Sequence, residues 1–157
     1  MSGIVPRLQQ QLDDNDVEYE IIHHKTDYRA KATAQDTDTP LVEFAKSVLL
    51  LVDDRYAMAI VPASMDVSLG KVRNATDAQD VRLAHEADFE RLCPDCEVGA
   101  AHPFGNLYDL PVYVSRTLAA DEKITFNAGS HRDAIRMRYR DFEALVKPHV
   151  LGLCKHE

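Results

Sequence analysis

Cysteine is scarce in this chain, and its count is odd: three in 157 residues. That argues against a disulfide framework and fits a reducing compartment, so a cytoplasmic protein is expected. Long apolar runs are also missing. No stretch approaches the roughly 20 residues of a membrane-spanning helix, and the opening MSGIVPRLQQQ lacks the apolar block of a signal peptide. No membrane partner is expected. Basic charge is in deficit, with 18 Lys and Arg against 26 Asp and Glu and a formal net charge of -8. Phosphate contacts dominate nucleic-acid affinity, so this balance argues against tight nonspecific binding and leaves room for a weak, transient contact with one RNA end. The run Ser130–Arg140, with four arginines and a histidine, could supply such a patch. A solvated strand face and turn is its plainer reading. A Gly-rich phosphate loop, a Ser-His-Asp order of known type and internal repeats are all absent.

What remains has the composition of a globular protein, 45% hydrophobic and 28% charged, at the usual size of one domain, here residues 1–157. Ile4, Leu8 and Leu12 repeat at i, i+4 and predict a helix over 4–12. Val17–Ile22 reads as a strand closed by His23 and His24, and Thr33–Asp38 as a loop or short helix that Pro40 interrupts. Phe44–Val52, with Val48-Leu49-Leu50-Leu51-Val52 continuously apolar, is the strongest buried strand. Asp53-Asp54 marks a turn into a returning strand over Tyr56–Val61. Helices follow over Ser68–Asn74 and Glu86–Leu92, with a short strand at Val81–Leu83 between them. Further strands fall at Asp109–Val114, Lys123–Phe126 and Ala134–Met137. A last helix over Arg140–Val146 carries Phe142, Leu145 and Val146 on one face. Hairpins mix with crossovers, which predicts an α+β fold: a mixed, curved or barrel-like β-sheet surrounded by helices.

Three places carry candidate chemistry. Gly99-Ala100-Ala101-His102-Pro103-Phe104-Gly105 sets two glycines and a proline among small residues. Glycine allows positive φ and close approach, while Pro103 removes one N–H, so the loop can offer bare backbone to a small ligand; a tight turn is the alternative. Lys46 opens the buried strand and either snorkels to solvent or projects into a pocket as a point charge for a phosphate or carbonyl oxygen. Phe126-Asn127-Ala128-Gly129-Ser130-His131 is a strand end entering a Gly turn, able to expose backbone at Asn127 and Gly129 or simply to close a hairpin. Two other constellations are weaker. Cys93-Pro94-Asp95-Cys96 has C-x-x-C spacing, with His85, His102, or Cys154 and His156 as further metal ligands, against a reading as ordinary loop or buried thiols. His23-His24 either face a pocket or end an exposed strand.

In order and spacing these residues resemble the YbaK/prolyl-tRNA synthetase-associated domain family of aminoacyl-tRNA editing domains. The likeness rests on Thr33-Ala34-Gln35, Phe44-Ala45-Lys46-Ser47-Val48-Leu49-Leu50, Gly99–Gly105 continuing into Asn106-Leu107-Tyr108, Pro111-Val112-Tyr113-Val114 and Phe126-Asn127-Ala128-Gly129, and spans about Val17 to Val146. The resemblance implies trans-editing hydrolysis of the ester joining a wrong amino acid to the terminal ribose of tRNA. Lys46 matches the family's functional lysine and Gly99 and Pro103 its Gly-x-x-x-Pro substrate loop, with Ala100, Ala101, His102, Asn127 and Gly129 as further substrate-binding residues. It implies no metal, cofactor or covalent nucleophile, attack by water or a substrate group, and as partners the aminoacyl-tRNA 3′ end and an aminoacyl-tRNA synthetase. Ala100-Ala101 would set a small pocket. A noncatalytic module of the same fold, binding an amino acid, a nucleotide or a protein, is the alternative. Two departures from the family pattern stand out. His102 replaces a smaller or apolar residue, and narrows the pocket, acts as a base or points outward. Asp36–Glu43 is unusually acidic, so specificity does not carry over.

Overall fold

In a computed structural model, which describes residues 4–24, 30–37, 39–155 and 157, the buried strand predicted at the middle of the chain is also the middle of the sheet. β2 (Phe44–Val52) folds back on β3 (Arg55–Pro62) in register from Ala45↔Pro62 to Val52↔Arg55. Asp53 and Asp54 take φ of 48° and 64°, the left-handed pair that a two-residue hairpin turn needs to match strand twist. Alternation along both strands then feeds two cores. Met58 and Ile60 enter a large cluster with Phe104, Phe126 and Phe142. Leu50, Ala59 and Val61 join Val72 and Leu153 on the other face. Burial on both faces is why this stretch reads as unbroken apolar sequence.

The remaining strands are β1 (Tyr19–His23), β4 (Val81–Leu83), β5 (Val112–Ser115), β6 (Lys123–Asn127), β7 (Asp133–Arg138) and β8 (His149–Leu151). The sheet runs β1-β7-β6-β2-β3-β5-β8, with β4 also paired to β2. It is mixed: β2/β6, β3/β5 and β5/β8 are parallel, and the other pairs antiparallel. The order runs open from β1 to β8, so among the described residues the sheet does not close into a barrel.

Among the described residues six helices accompany it: α1 (Pro6–Asp14), α2 (Ala30–Asp36), α3 (Leu69–Thr76), α4 (Glu86–Leu92), α5 (Arg116–Ala119) and α6 (Tyr139–Val146). α1 starts with proline at its first position, where a missing N–H costs nothing, and buries Leu8 and Leu12. Ser68 caps α3 by accepting from Lys71 N–H. α2 ends at Asp36, two turns long, and Asp38 lies outside the described residues. Three elements went unread in the sequence: α5, β8 and a 3₁₀ turn at Gly105–Tyr108. All are three or four residues long, too short for a periodicity, and tertiary partners define them: β8, for example, exists by lying parallel to β5.

Candidate functional site

The site begins with a break in strand pairing. β3 occupies one edge of β2 along nearly its whole length. On the other edge, Phe44 and Ala45 pair with Thr125 and Phe126, and Leu50–Val52 pair with Leu83–Val81. Between these partners, Lys46, Ser47 and Val48 have no strand neighbour on that edge, and the Leu49 carbonyl is closed by Ala84 N–H at 3.0 Å. The next rung of the parallel ladder would join Ser47 N–H to the Asn127 carbonyl, and it is not made. A crevice therefore opens where the short parallel pairing stops, at the end of β6 and near the start of β2.

Lys46 and Asn127 stand at that missing rung, one on each strand. Side chains at one level of a parallel pair point to the same face, so the two project together. The Asn127 side chain is 8% exposed and its Oδ1 is buried without a hydrogen-bond partner. The Lys46 ammonium lies 3.6 Å from Oδ1 of Asp66, which is 82% exposed. Ser47 turns to the opposite face, and its Oγ is likewise buried and unpartnered. Ser47 and Gly99 line one cavity of about 260 Å³ together with Leu83, Phe89 and Val98. The chain thus brings Lys46 and the glycine loop to the same gap, but the lysine leans toward Asp66 while its neighbour Ser47 meets the loop.

Two glycines fix the loop. Gly99 takes φ of 81° and Gly129 of 103°. At Gly99 a Cβ would meet His131 at an ordinary 3.5 Å, so backbone conformation rather than space requires glycine there; at Gly129 it would fall 2.2 Å from Val5 Cγ2, so both do. Gly129 N–H donates to Ala100 O and Glu97 N–H to Gly129 O, at 3.1 and 2.7 Å. His131 sits beneath, its Nε2 2.7 Å from Val98 O. The two segments are one structure, pinned across the mouth of the crevice. Ala100 is 1% exposed and Pro103 is buried, and only Gly99 of this loop lines the cavity described above.

His102 points inward. Its Nδ1 accepts from Phe104 N–H at 3.2 Å, which places the proton on Nε2, and that N–H donates to the Tyr108 hydroxyl at 2.8 Å. Tyr108 donates in turn to Asp95 at 2.7 Å, and Asp95 pairs with Arg7 of α1 at 3.0 Å. Burial drives the imidazole down to a pKa of about 4, so it is neutral near neutral pH. Burial and the neighbouring Cys96 and Asp95 push the Tyr108 phenol far up. This chain of groups ties α1 to the loop and leaves His102 no free ring nitrogen with which to take a proton.

The other constellations resolve into structure. Cys93 lies in the large core, its thiol pushed up to about 12 by burial, and Cys96 approaches the Tyr108 hydroxyl at 3.5 Å. Among the described residues no three His, Cys, Asp or Glu side chains gather as a metal site; His156 lies outside those residues. His23 pairs with the buried Asp133 across β1 and β7. The arginines of 130–140 diverge. Arg136 donates to Thr125, Thr39 and the Thr37 carbonyl, Arg138 faces Glu18, and Arg132 and Arg140 lie on the turn and on α6. Arg136 and Arg138 line one surface cavity with Lys123, and Arg138 and Arg140 another, with Glu18 and Glu20 offsetting their charge. Sequence reasoning named Ser47 and His131 only as members of their motifs and passed over Asp66; each is an unremarkable residue type whose position only the fold reveals.

These features define an α+β protein with a crevice where two parallel strands part. The model of the aminoacyl-tRNA editing domain matches residues 24–145, and the chain belongs to that family. It is 33% identical over 97 residues to a proline–tRNA ligase of Bacillus velezensis, and 35% identical over 79 residues to one of a Geobacillus species. These matches cover 61% and 50% of this chain but only 16% and 13% of the ligases, so the chain corresponds to a small part of each. Among solved structures, a candidate trans-editing enzyme for prolyl tRNA synthetase superposes with a TM-score of 0.84 at 20% identity over 99% of both chains. A scaffold protein used for epitope grafting superposes with a TM-score of 0.86 at 19% identity over 100% of both. The shared fold is the mixed open sheet with its helices.

Proposed function

We propose that this chain is a trans-editing deacylase that hydrolyses the ester of a mischarged aminoacyl-tRNA at the Lys46–Asn127 opening. The observation that carries the reading is the missing rung itself. It leaves the Ser47 N–H without a strand partner where β2 and β6 part, with Lys46 and Asn127 at the last level of the two strands and Gly99 lining the cavity beside Ser47. An aminoacyl ester is already activated, so positioning and charge stabilisation suffice. The Asn127 Oδ1 accepts from the α-ammonium of the aminoacyl group. Water adds to the ester carbonyl carbon, and the oxyanion that forms is held by Ser47 N–H and the Lys46 ammonium. Collapse breaks the bond to the ribose oxygen, which takes up the proton given up by the water. A free amino acid and tRNA with its terminal hydroxyl restored leave the site. Gly99 and Pro103 shape the loop, while Ala100, His102, Gly129 and His131 act behind it as positioning residues. The tRNA end is the partner, met transiently, and an associated aminoacyl-tRNA synthetase would supply it. Small amino acids are the expected cargo, because binding alone discriminates them poorly and a second hydrolytic sieve has a purpose.

A panel of tRNAs charged with Ala, Ser, Cys, Pro and Thr tests this. At least one should be deacylated, and Lys46→Ala should lower that rate about 10²–10³-fold, the usual effect of losing one oxyanion donor. Release from none of the five would favour the noncatalytic module.

A further inference from the structure

Alternation in β2 sets Lys46 on the face that carries Val48 and Leu50, opposite to Ser47. Two stretches of chain that hold each other build the wall on that face. The first, Ala63 to Ser68, leaves β3 and carries Asp66. The second, Gly152 to Lys155, follows β8 and buries Leu153 and Cys154. Ser68 N–H donates to the Leu153 carbonyl at 2.7 Å, and Lys155 N–H to the Asp66 carbonyl at 3.2 Å. Between them Val67 and Cys154 form an antiparallel bridge. Burial pushes the Cys154 thiol up to about 11 and Glu157 adds to that, while the Lys46 ammonium acts the other way. Lys46 therefore lies beside this wall. The Asp66 carboxylate, 82% exposed, pairs with it at 3.6 Å.

Glu157 in turn fixes the second stretch. One of its carboxylate oxygens accepts from the Leu153 and Cys154 N–H groups at 2.7 and 3.3 Å, and the other from the N–H and hydroxyl of Thr117 on α5. Lys71 of α3 donates to the Glu157 carbonyl at 2.6 Å. A continuous run of hydrogen bonds thus leads from α5 through Glu157 and Leu153 to the backbone that carries Asp66. Beside Asp66 the ammonium lies outside the cavity that Ser47 and Gly99 line, and holding an oxyanion next to the Ser47 N–H requires it to leave. We propose that Glu157 is a positioning residue for Lys46: by fixing the Gly152–Lys155 stretch it keeps Asp66 where the carboxylate draws the ammonium off the opening, and so weakens substrate binding by the cost of recalling it. The inference rests on the deacylase reading for the use made of Lys46, whereas the position of the ammonium does not depend on that reading. Exposed pairs are weak, so the effect is a few-fold one and coupling between the two carboxylates is what identifies it.

A double-variant cycle on the whole chain tests it. Asp66→Asn and Glu157→Gln should each raise the rate of reductive methylation of Lys46 about two- to fivefold, read by mass mapping against Lys123, an exposed lysine on β6. In the Asp66→Asn background Glu157→Gln should add nothing, because the carboxylate it positions is gone. KM for aminoacyl-tRNA should follow the same pattern, falling about two- to fivefold in each single variant and no further in the double, with kcat little changed. Thr117→Val removes one bond to the Glu157 carboxylate and keeps its charge, so it should move both readings the same way by less. It carries the test if Glu157→Gln unfolds, which faster labelling of Lys123 would reveal. Effects that multiply in the double variant would overturn the inference, as would unchanged Lys46 labelling in a folded Glu157→Gln or Thr117→Val chain. Labelling needs no ester. Coupled labelling in a protein that deacylates nothing contradicts the deacylase reading alone, and deacylation with uncoupled variants contradicts this inference alone.

Discussion

His102 donates through Nε2 to the hydroxyl of Tyr108 across 2.8 Å, and the same hydroxyl donates to Asp95, the partner of Arg7. A residue placed in the substrate loop by its sequence neighbours is therefore the buried end of a structural relay. Its imidazole titrates near 4 when folded, against about 6.5 in the unfolded chain.

The sign of the resulting pH dependence is fixed. Above pH 6.5 both states are neutral at this group and it contributes no slope. As pH falls from 6.5 toward 4 only the unfolded chain takes up the proton, so the folded state loses on the order of 3 kcal/mol. Urea titrations at pH 7 and pH 4.5 should show that loss, and His102→Gln should reduce it while costing about 1–3 kcal/mol at pH 7 from broken hydrogen bonds. Between about pH 6 and 8 the rate profile of deacylation should be the same in wild type and in His102→Gln, because a neutral, doubly hydrogen-bonded ring is no general base.

Lys46 and Asp66 form a loose pair at 3.6 Å, with the carboxylate 82% exposed. Exposed pairs contribute about 0–1 kcal/mol, so Asp66→Asn should leave the thermal midpoint within a few degrees. It frees the ammonium for substrate. The expected result is a lower KM for aminoacyl-tRNA, roughly two- to fivefold, with kcat little changed, read from steady-state deacylation; a rise in KM would place Asp66 among the groups that hold substrate.

At Gly129, Ala adds a methyl group 2.2 Å from Val5 Cγ2 and imposes a side chain on a φ of 103°. Overpacking and backbone strain each cost about 1–3 kcal/mol, so Gly129→Ala should destabilise by roughly 2–5 kcal/mol in chemical denaturation. Combining it with Val5→Ala should recover only the steric share. A full recovery in the double variant would show that φ carries no strain.

Glu157 anchors the chain's last residues to α5. One carboxylate oxygen accepts from the Ser115 hydroxyl and from the Thr117 N–H and hydroxyl, and the other from the Leu153 and Cys154 N–H groups. Burial alone would raise its pKa, but these bonds outweigh burial and hold it below the ordinary carboxylate value. The stability it gives is complete above the unfolded value of 4.5 and is lost as pH falls through the lower folded one. Glu157→Gln should cost about 1–3 kcal/mol at pH 7, and the gap from wild type should narrow in melts at pH 3.

Long elements were legible in the sequence because burial writes a period into them. The apolar run from Phe44 to Val52 and the Asp53-Asp54 turn fall where pattern and turn chemistry place them, and the short elements at Val81–Leu83 and Glu86–Leu92 also form there although neither has a fully buried residue. Lys46, Gly99 and Asn127 could also be singled out, since a cation heading a buried strand and glycine in a small-residue loop are local anomalies. Alternation in β2 further dictates that Lys46 and Ser47 point apart.

Partner choice is not local, and it decided the rest. That β6 leaves β2 after Ala45↔Phe126, and that β4 returns to it only at Leu50, is set by the packing of separate elements. The gap at Lys46–Val48 has no sequence signature of its own. The same packing turned His102 from a loop residue into a core one, spread the arginines of 130–140 over several surroundings, and left the sheet open. Sequence by itself determined which residues could hold an ester or close a turn, because those capacities belong to single side chains and short backbones. The tertiary structure alone determined which backbone groups stay unpaired, because a hydrogen bond withheld depends on where every neighbouring strand goes.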